Sequence, residues 1–156
     1  MKAELRDKLV NSFPDLFKSS RIRDIEGGFN PLLQYPNTVP FWIETGDGWY
    51  DLLYELCTRI QEIIDDKGDE EFREYFRILQ VKEKFGGLRF YMSGAPRSIH
   101  DLVDEYEEKS YKTCELCSEP GQMMSCNMGK GGWYQTLCTK CRDEKEYGPP
   151  VPRRQQ

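Results

Sequence analysis

The sequence predicts an α+β protein, in which a small antiparallel sheet packs against two or three helices and a cysteine-rich module follows. Three observations predict this fold: a helical apolar stripe over residues 49–67, alternating residues on both sides of Gly86-Gly87, and two Cys-x-x-Cys pairs near the C-terminus. The chain has 156 residues, 38% of them hydrophobic, which is enough for one domain with a small appendage. We predict three parts: a body over residues 1–110, a metal-binding module over 111–147 and a flexible tail over 148–156.

The N-terminal part of the body begins with a predicted helix over residues 3–12. This helix ends before Pro14, whose ring also restricts the backbone of Phe13. Residues 19–40 contain repeated glycine and proline and predict a long irregular loop, which in a compact domain is functional or held by its own side chains. A short strand is predicted over residues 41–45.

The strongest predicted helix covers residues 49–67. We expect Asp47 to cap its start and Gly68 to end it. Its apolar residues recur at three- and four-residue spacing and form one continuous face, made of Trp49, Leu52, Leu53, Leu56, Cys57, Ile60, Ile63 and Ile64.

A second amphipathic helix is predicted over residues 98–111. Ser98 and Asp101 have the spacing of a capping box at its start. Its buried stripe is predicted to consist of Ile99, Leu102, Val103 and Tyr106.

Residues 76–93 predict a β-hairpin that turns at Gly86-Gly87. A two-residue turn there gives five cross-strand pairs: Phe85 with Leu88, Glu83 with Phe90 and Val81 with Met92 on one face, Lys84 with Arg89 and Lys82 with Tyr91 on the other. Three cations and an aromatic ring then share one face, which favours binding of a phosphorylated ligand, a nucleotide or an acidic protein partner. The alternative is the solvated face of an antiparallel sheet, where lysine and arginine are common.

The cysteine pairs Cys114-x-x-Cys117 and Cys138-x-x-Cys141 have the spacing of a four-cysteine zinc site. Tetrahedral Zn²⁺ takes four thiolates at about 2.3 Å, and two tight turns joined by a hairpin deliver two thiolates each. The second pair is followed by a predicted short helix, which is the order of elements in a treble-clef zinc finger. Because four protein ligands close the coordination sphere, we predict one structural Zn²⁺.

Other interpretations of the cysteines remain. An iron–sulfur cluster also uses four cysteines, whereas a redox Cys-x-x-Cys is expected in a thioredoxin-like βαβ unit that this sequence lacks. Ser118 occupies a position where many zinc turns carry glycine. We predict that Cys57 packs in the core and that Cys126 is a free thiol between the pairs, with replacement of one of the four ligands as the alternative for Cys126. His100, the single histidine, is predicted to be a solvated helix residue.

Three carboxylates suggest an alternative function. Glu44, Asp47 and Asp51 could bind a divalent cation, as in a nuclease or nucleotide hydrolase. The opposing interpretation is a helix cap and the solvated face of helix 49–67. Glu83 is followed directly by Lys84, so the acid-x-lysine motif of restriction-type nucleases is missing, and no Walker or dinucleotide-binding glycine motif occurs.

Composition constrains the partners. The net charge of −5 argues against a general nucleic-acid binder, although nucleic acid stays a possible partner. The apolar runs are too short to cross a bilayer and the first residues do not form a signal peptide, so we expect a cytoplasmic protein without a membrane partner. The sequence does not determine the oligomeric state.

Several motifs together resemble an uncharacterised family of small proteins from bacterial and phage genomes. They are Gly46–Leu52, the Lys82–Tyr91 run KEKFGGLRFY, the region of Ser110 and the cysteine segment Cys114–Cys138. The resemblance covers about residues 40–142 and implies a phage or prophage setting, with no catalytic residue. We therefore expect a non-enzymatic binding protein that acts on a host protein or a phosphorylated ligand, for example as an inhibitor of host defence. The hairpin face (Lys82, Lys84, Arg89 and Tyr91) or the aromatic-rich segment 27–50 would make the contact.

Overall fold

The computed structural model describes residues 1–17, 43–67, 73, 75–126, 133–145 and 147–151. Its helices are α1 (Ala3–Ser12), α2 (Tyr50–Lys67), α3 (Arg97–Ser110) and α4 (Thr139–Glu144), and a 3₁₀ turn over Asp47–Trp49 leads into α2. Its strands are β1 (Ile43–Glu44), β2 (Arg77–Lys84), β3 (Gly87–Ser93), β4 (Gln122–Cys126) and β5 (Trp133–Leu137). The predicted α+β class is confirmed. The loop predicted over 19–40, residues 41–42 of the first strand and Gly68 lie outside the described residues.

One hydrophobic core joins α1, α2, α3 and the first sheet. The apolar face predicted for α2 is buried, with Ile63 at its margin. The turn after α1 joins this core, because the amide of Ile78 donates to the carbonyl of Leu16 over 3.4 Å. The buried side chains include Phe13, Leu16, Phe17, Leu53, Leu56, Ile60, Ile78, Val81, Leu88, Phe90, Ile99, Leu102 and Tyr106.

The first sheet has the order β1-β2-β3, with β1 parallel to β2 and β2 antiparallel to β3. The predicted turn and cross-strand pairs are wrong: Phe85 and Gly86 form the turn, with φ of +54° and +79°. Lys84 therefore lies opposite Gly87, Lys82 opposite Arg89 and Val81 opposite Phe90.

Gly87 is a strand residue for a packing reason. A Cβ at this position would lie 2.2 Å from the ring of Tyr111, so a larger residue there would have to displace this side chain. When the turn moves by one residue, each strand residue faces a partner two positions away from the predicted one. Because side chains alternate between the two faces with a period of two, each strand residue stays on its predicted face of the hairpin. Lys82, Lys84, Arg89 and Tyr91 still share one face of the sheet.

Helix α3 covers the outer edge of β3. The amide of Leu88 donates to Ser110 Oγ over 2.8 Å, and the amide of Phe90 donates to Glu107 Oε1 over 3.0 Å. These side chains satisfy edge donors that would otherwise attract another strand. Because the helix starts one residue earlier than predicted, Pro96 occupies the cap position and the predicted Ser98 capping box is wrong.

The second sheet pairs β4 with β5 in antiparallel register, with Met123 opposite Thr136. Part of the predicted tail lies along the other side of β4: Gly148 donates to the carbonyl of Ser125 over 3.0 Å, and Val151 donates to that of Met123 over 2.9 Å. Residues 152–156 lie outside the described residues. None of the described helices combines the length and apolar character needed to cross a membrane.

Candidate metal centre

The first cysteine pair lies on a tight turn between α3 and β4. The amide of Ser118 donates to the carbonyl of Cys114 over 3.0 Å, and the amide of Cys114 donates to the carbonyl of Glu119 over 2.7 Å. Ser118 has a φ of +68°, in the left-handed region that favours glycine. Its hydroxyl donates to the carbonyl of Gly48 over 2.7 Å, which explains why a side chain is present at this position.

The second cysteine pair lies where β5 ends and α4 begins. Cys138 is the N-cap residue of α4, and its sulfur accepts a hydrogen bond of 3.4 Å from the amide of Cys141. A sulfur with partial negative charge is stabilised by such an amide. The order of turn, β4–β5 hairpin and helix start is the one predicted for a treble-clef-like module.

The four sulfurs converge on one point. All four ligand atoms lie within 4.8 Å of one another, with Cys117 Sγ 3.6 Å from Cys138 Sγ and 3.5 Å from Cys141 Sγ. Tetrahedral bonds of about 2.3 Å require sulfur–sulfur distances of about 3.8 Å. The cysteines are free thiols. The arrangement fits a metal ion held by four sulfurs.

The acidities of these thiols differ in the metal-free chain. The amide of Cys141 lowers the pKa of Cys138, whereas burial raises the pKa of Cys141 well above its ordinary value. Four thiolates this close repel one another in the absence of a cation. A divalent metal would offset this repulsion and keep all four sulfurs deprotonated.

The segment that carries the first cysteine pair is docked on the start of α2 by hydrogen bonds from both backbone and side-chain atoms. Glu115, between the first two ligands, is only 4% exposed. Its Oε1 accepts from the amide of Gly46 over 2.8 Å, and its carbonyl accepts from the amide of Gly48 over 2.8 Å. Trp49, fully buried, donates from Nε1 to the carbonyl of Thr113 over 2.8 Å.

This docking surface has no room for side chains at the two glycines. A Cβ on Gly46 would lie 2.2 Å from the carbonyl oxygen of Glu115. A Cβ on Gly48 would lie 2.4 Å from that of Cys114. The sequence interpretation missed the role of Glu115 in docking. The motif Gly46-Asp47-Gly48-Trp49 could have indicated this contact, because two glycines at the start of a helix indicate that another segment of backbone packs closely against it.

A second contact joins the metal centre to the body hairpin. Thr136 Oγ1 on β5 donates to the carbonyl of Gly86 over 2.6 Å in a buried position. A Cβ on Gly86 would lie 3.0 Å from the side chain of Met123 on β4. The β4–β5 hairpin therefore packs directly on the turn of the body hairpin.

The four residues predicted as a ligand-binding face have two different environments. Arg89 donates from Nη2 to the hydroxyl of Tyr111 over 3.1 Å and lies 3.4 Å from a carboxylate oxygen of Glu107, with 18% of its side chain exposed. Lys82 Nζ lies 5.4 Å from the centroid of the Tyr91 ring. Arg89 is thus held within the structure, whereas the lysines carry the accessible charge.

Phe85 belongs to the same surface, although the predicted register placed it on the opposite face. Its side chain is 53% exposed, and Lys84 Nζ lies 5.4 Å from the centroid of its ring. We call Lys82, Lys84, Phe85 and Tyr91 the hairpin surface. Two exposed aromatic rings, those of Phe85 and Tyr91, lie next to lysines on this surface.

The three carboxylates of the alternative enzyme site do not gather. Among the described residues, the cysteine, histidine and acidic side chains whose ligand atoms lie within 4.8 Å of one another in a group of at least three are the four cysteines. Glu44, Asp47 and Asp51 do not form such a group. Asp47 accepts from the amide of Lys2 over 2.7 Å and from its ammonium over 3.3 Å, and the amide in particular lowers the pKa of Asp47. The predicted cap role of Asp47 is wrong, because Gly46 occupies the cap position and Asp47 binds Lys2.

The other chemical candidates lie apart from the cluster. Cys57 is fully buried in the core, and burial raises the pKa of its thiol. The backbone of Cys126 lies opposite Trp133 at the end of β4, and its side chain is outside what the structure describes. His100 is exposed on α3.

Comparison of the chain with protein-family models, curated proteins and solved structures found no match.

Proposed function

We propose that this protein is a zinc-stabilised, non-enzymatic binding protein. The convergence of four sulfurs within 4.8 Å supports the metal proposal. Thiolate ligands in tetrahedral geometry favour Zn²⁺, and sulfurs this close leave no room for a cluster of several iron atoms. Because all four ligands come from the chain, the ion has a structural role and no open position for a substrate.

Metal analysis tests this proposal. Purified protein should contain about one zinc per chain, and Cys138→Ser should lose it because three sulfurs hold zinc much more weakly than four. Cys126→Ser is the matched control, since Cys114, Cys117, Cys138 and Cys141 already supply four converging sulfurs. Iron in place of zinc, or zinc retained equally by both variants, would contradict the assignment.

Binding is proposed to occur at the hairpin surface, and one observation carries this proposal. Phe85 holds an exposed aromatic side chain in a left-handed backbone conformation, with a φ of +54°. This conformation costs a bulky residue about 1 kcal/mol relative to asparagine or glycine, which are the preferred residues of such turns. A strained, exposed aromatic residue is better explained by contact with a partner than by stability.

The proposed partner is a protein with acidic residues at its contact site. Aromatic side chains are the common anchors of protein interfaces, and Lys82 and Lys84 would pair with carboxylates at the rim. The guanidinium of Arg89, the group suited to bidentate phosphate binding, is occupied by Glu107 and Tyr111. This favours a protein over the phosphorylated ligand that the sequence also suggested.

A host protein in the bacterial cytoplasm is the proposed biological target, and inhibition of host defence is one form this binding would take. The support for this setting is the resemblance over residues 40–142 to a family found in bacterial and phage genomes.

Capture experiments with immobilised, zinc-loaded protein test the binding proposal. Phe85→Asn should raise the stability of the chain by about 1 kcal/mol and lower capture of the host partner at least tenfold. The double variant Lys82→Ala/Lys84→Ala should also lose capture, whereas Lys8→Ala/Lys145→Ala, with the same charge change, should retain it. Displacement of the partner by a phosphorylated ligand would indicate the other ligand class. Mg²⁺-dependent turnover lost in Asp47→Ala would overturn the non-enzymatic proposal.

A further inference from the structure

We infer that metal occupancy controls the conformation of the start of α2 and of the hairpin turn, so that zinc loading regulates the hairpin surface. The inference rests on the proposed metal site and surface. The zinc would then regulate the hairpin surface, although none of the four cysteine ligands belongs to that surface.

The first connection runs through the turn that carries Cys114 and Cys117. Two metal bonds would fix this turn, whose groups bind the start of α2 at Gly46, Gly48 and Trp49. The glycine contacts are too close for the turn to change shape without moving this segment. A loosened metal turn would therefore release these three hydrogen bonds at the start of α2, together with the one from the Ser118 hydroxyl to the carbonyl of Gly48.

The second connection runs through β5, which leads directly into Cys138. Thr136, two residues before this ligand, donates its hydroxyl to the carbonyl of Gly86 over 2.6 Å. Gly86 forms the hairpin turn together with Phe85. Displacement of β5 after metal loss would thus release the turn that presents the Phe85 ring.

Coupling of this kind is reciprocal, because two linked equilibria change each other by the same factor. Typical coupling corresponds to a factor of about 5 to 150. Zinc should therefore protect the body segments, and changes in the body segments should weaken zinc binding even where no ligand is altered.

Amide hydrogen exchange of the zinc-loaded chain and of the same chain after chelation tests the first direction. The amides of Gly46, Gly48 and Gly86 should exchange about ten- to a hundredfold faster without zinc, while buried amides of α2 change by less than about threefold. Unchanged exchange at these three glycines would overturn the coupling. Equal acceleration throughout α2 would also overturn it, because the metal would then support the whole fold without selective control.

Zinc affinity of two tryptophan variants, measured by competition with a chromophoric chelator, tests the reverse direction. Trp49→Phe removes the hydrogen bond to Thr113 and should weaken zinc binding at least fivefold. Trp133→Phe is the matched control, since Trp133 is 61% exposed. If Trp49→Phe does not fold, Thr136→Val gives the same comparison through the second connection. Equal affinity in variant and control would overturn the coupling alone, whereas absence of zinc from the wild-type chain would overturn the metal site itself.

Discussion

Ser118 shows how a single side chain offsets an unfavourable backbone conformation. Its φ of +68° would suit glycine, but its hydroxyl bonds to the carbonyl of Gly48 and so ties the metal turn to the body. The two effects are of similar size, because a left-handed residue costs about 1 kcal/mol and a hydrogen bond of this kind contributes about as much.

Two substitutions at Ser118 separate these effects. Ser118→Ala keeps the strained backbone and loses the hydrogen bond, so the free energy of unfolding should fall by about 1 kcal/mol. Ser118→Gly loses the bond but relieves the strain, so its stability should stay close to that of the wild type. Urea unfolding of the zinc-loaded variants measures both values. An alanine variant as stable as the glycine variant would show that the left-handed conformation of residue 118 costs no stability, which would contradict this balance.

Glu83 is the carboxyl whose titration should affect stability near neutral pH. Burial raises its pKa to about 7, the amide of Gly86 and the charge of Arg89 oppose the rise, and the charge of Glu115 adds to it. In the unfolded chain its pKa is near the ordinary value of 4.5. The folded state therefore holds a proton that the unfolded state has lost, and stability falls as the pH rises from about 4.5 to about 7.

The variant Glu83→Gln should remove this loss while keeping an acceptor for the amide of Gly86. Between about pH 5 and pH 8 the variant should gain about 1 kcal/mol relative to the wild type, a figure reduced for solvent screening of a half-buried group. Unfolding at several pH values in excess zinc measures the difference. Glu62→Gln, at an exposed position on α2, is the control, and parallel pH profiles for the two variants would contradict the assignment.

At the scale of elements, the pairing of α3 with the edge of β3 makes a specific prediction. Ser110→Ala removes the acceptor of the buried Leu88 amide, which should cost about 1–3 kcal/mol of stability and leave the strand edge open to association. Chemical unfolding and light scattering measure the two effects. Ser12→Ala is the control, because the hydroxyl of Ser12 bonds to the carbonyl of Lys8 at an exposed position of α1. Equal stability of the two variants would contradict the role of Ser110.

The elements themselves differ in how far the sequence predicts them. The stripe of α2 repeats over several helical turns, so its burial follows from spacing alone. The register of the hairpin does not, because Gly86 and Gly87 both suit a turn, and the packing of Tyr111 against Gly87 comes from another part of the chain. Asp47 likewise has the spacing of a cap, and its actual partner, Lys2, is brought near by the tertiary fold.

At the scale of the whole molecule, the core extends into the irregular turn after α1. Leu16 is fully buried and its carbonyl accepts from Ile78, so Leu16→Ala should lower the free energy of unfolding by about 2–5 kcal/mol. Leu79→Ala, at a position that is 42% exposed, should change it by less than about 0.5 kcal/mol. Thermal or urea unfolding gives both values, and a small effect at Leu16 would show that this turn folds independently of the core.

The sequence predicts the four cysteine ligands of the candidate site. It does not predict the contacts that hold this site against the body of the protein. Four thiolates bind a metal only at restricted spacings, so the pairs at Cys114 and Cys138 identify themselves in the sequence. The contacts of Glu115 and Thr136 join positions 69 and 50 residues apart and leave no local pattern. They arise from the packing of two parts of the chain, which spacing rules do not describe.

The burial of Cys57 gives the protein an internal reporter of unfolding. The thiolate is the nucleophile that attacks alkylating reagents, and a thiol at the centre of the core is both inaccessible and protonated. The cysteines of the metal centre include Cys117, which is exposed, and these should become reactive when the metal leaves. Modification of Cys57 should instead follow the opening of the whole body, so peptide mapping after a timed pulse of alkylation would separate the two events within a single sample.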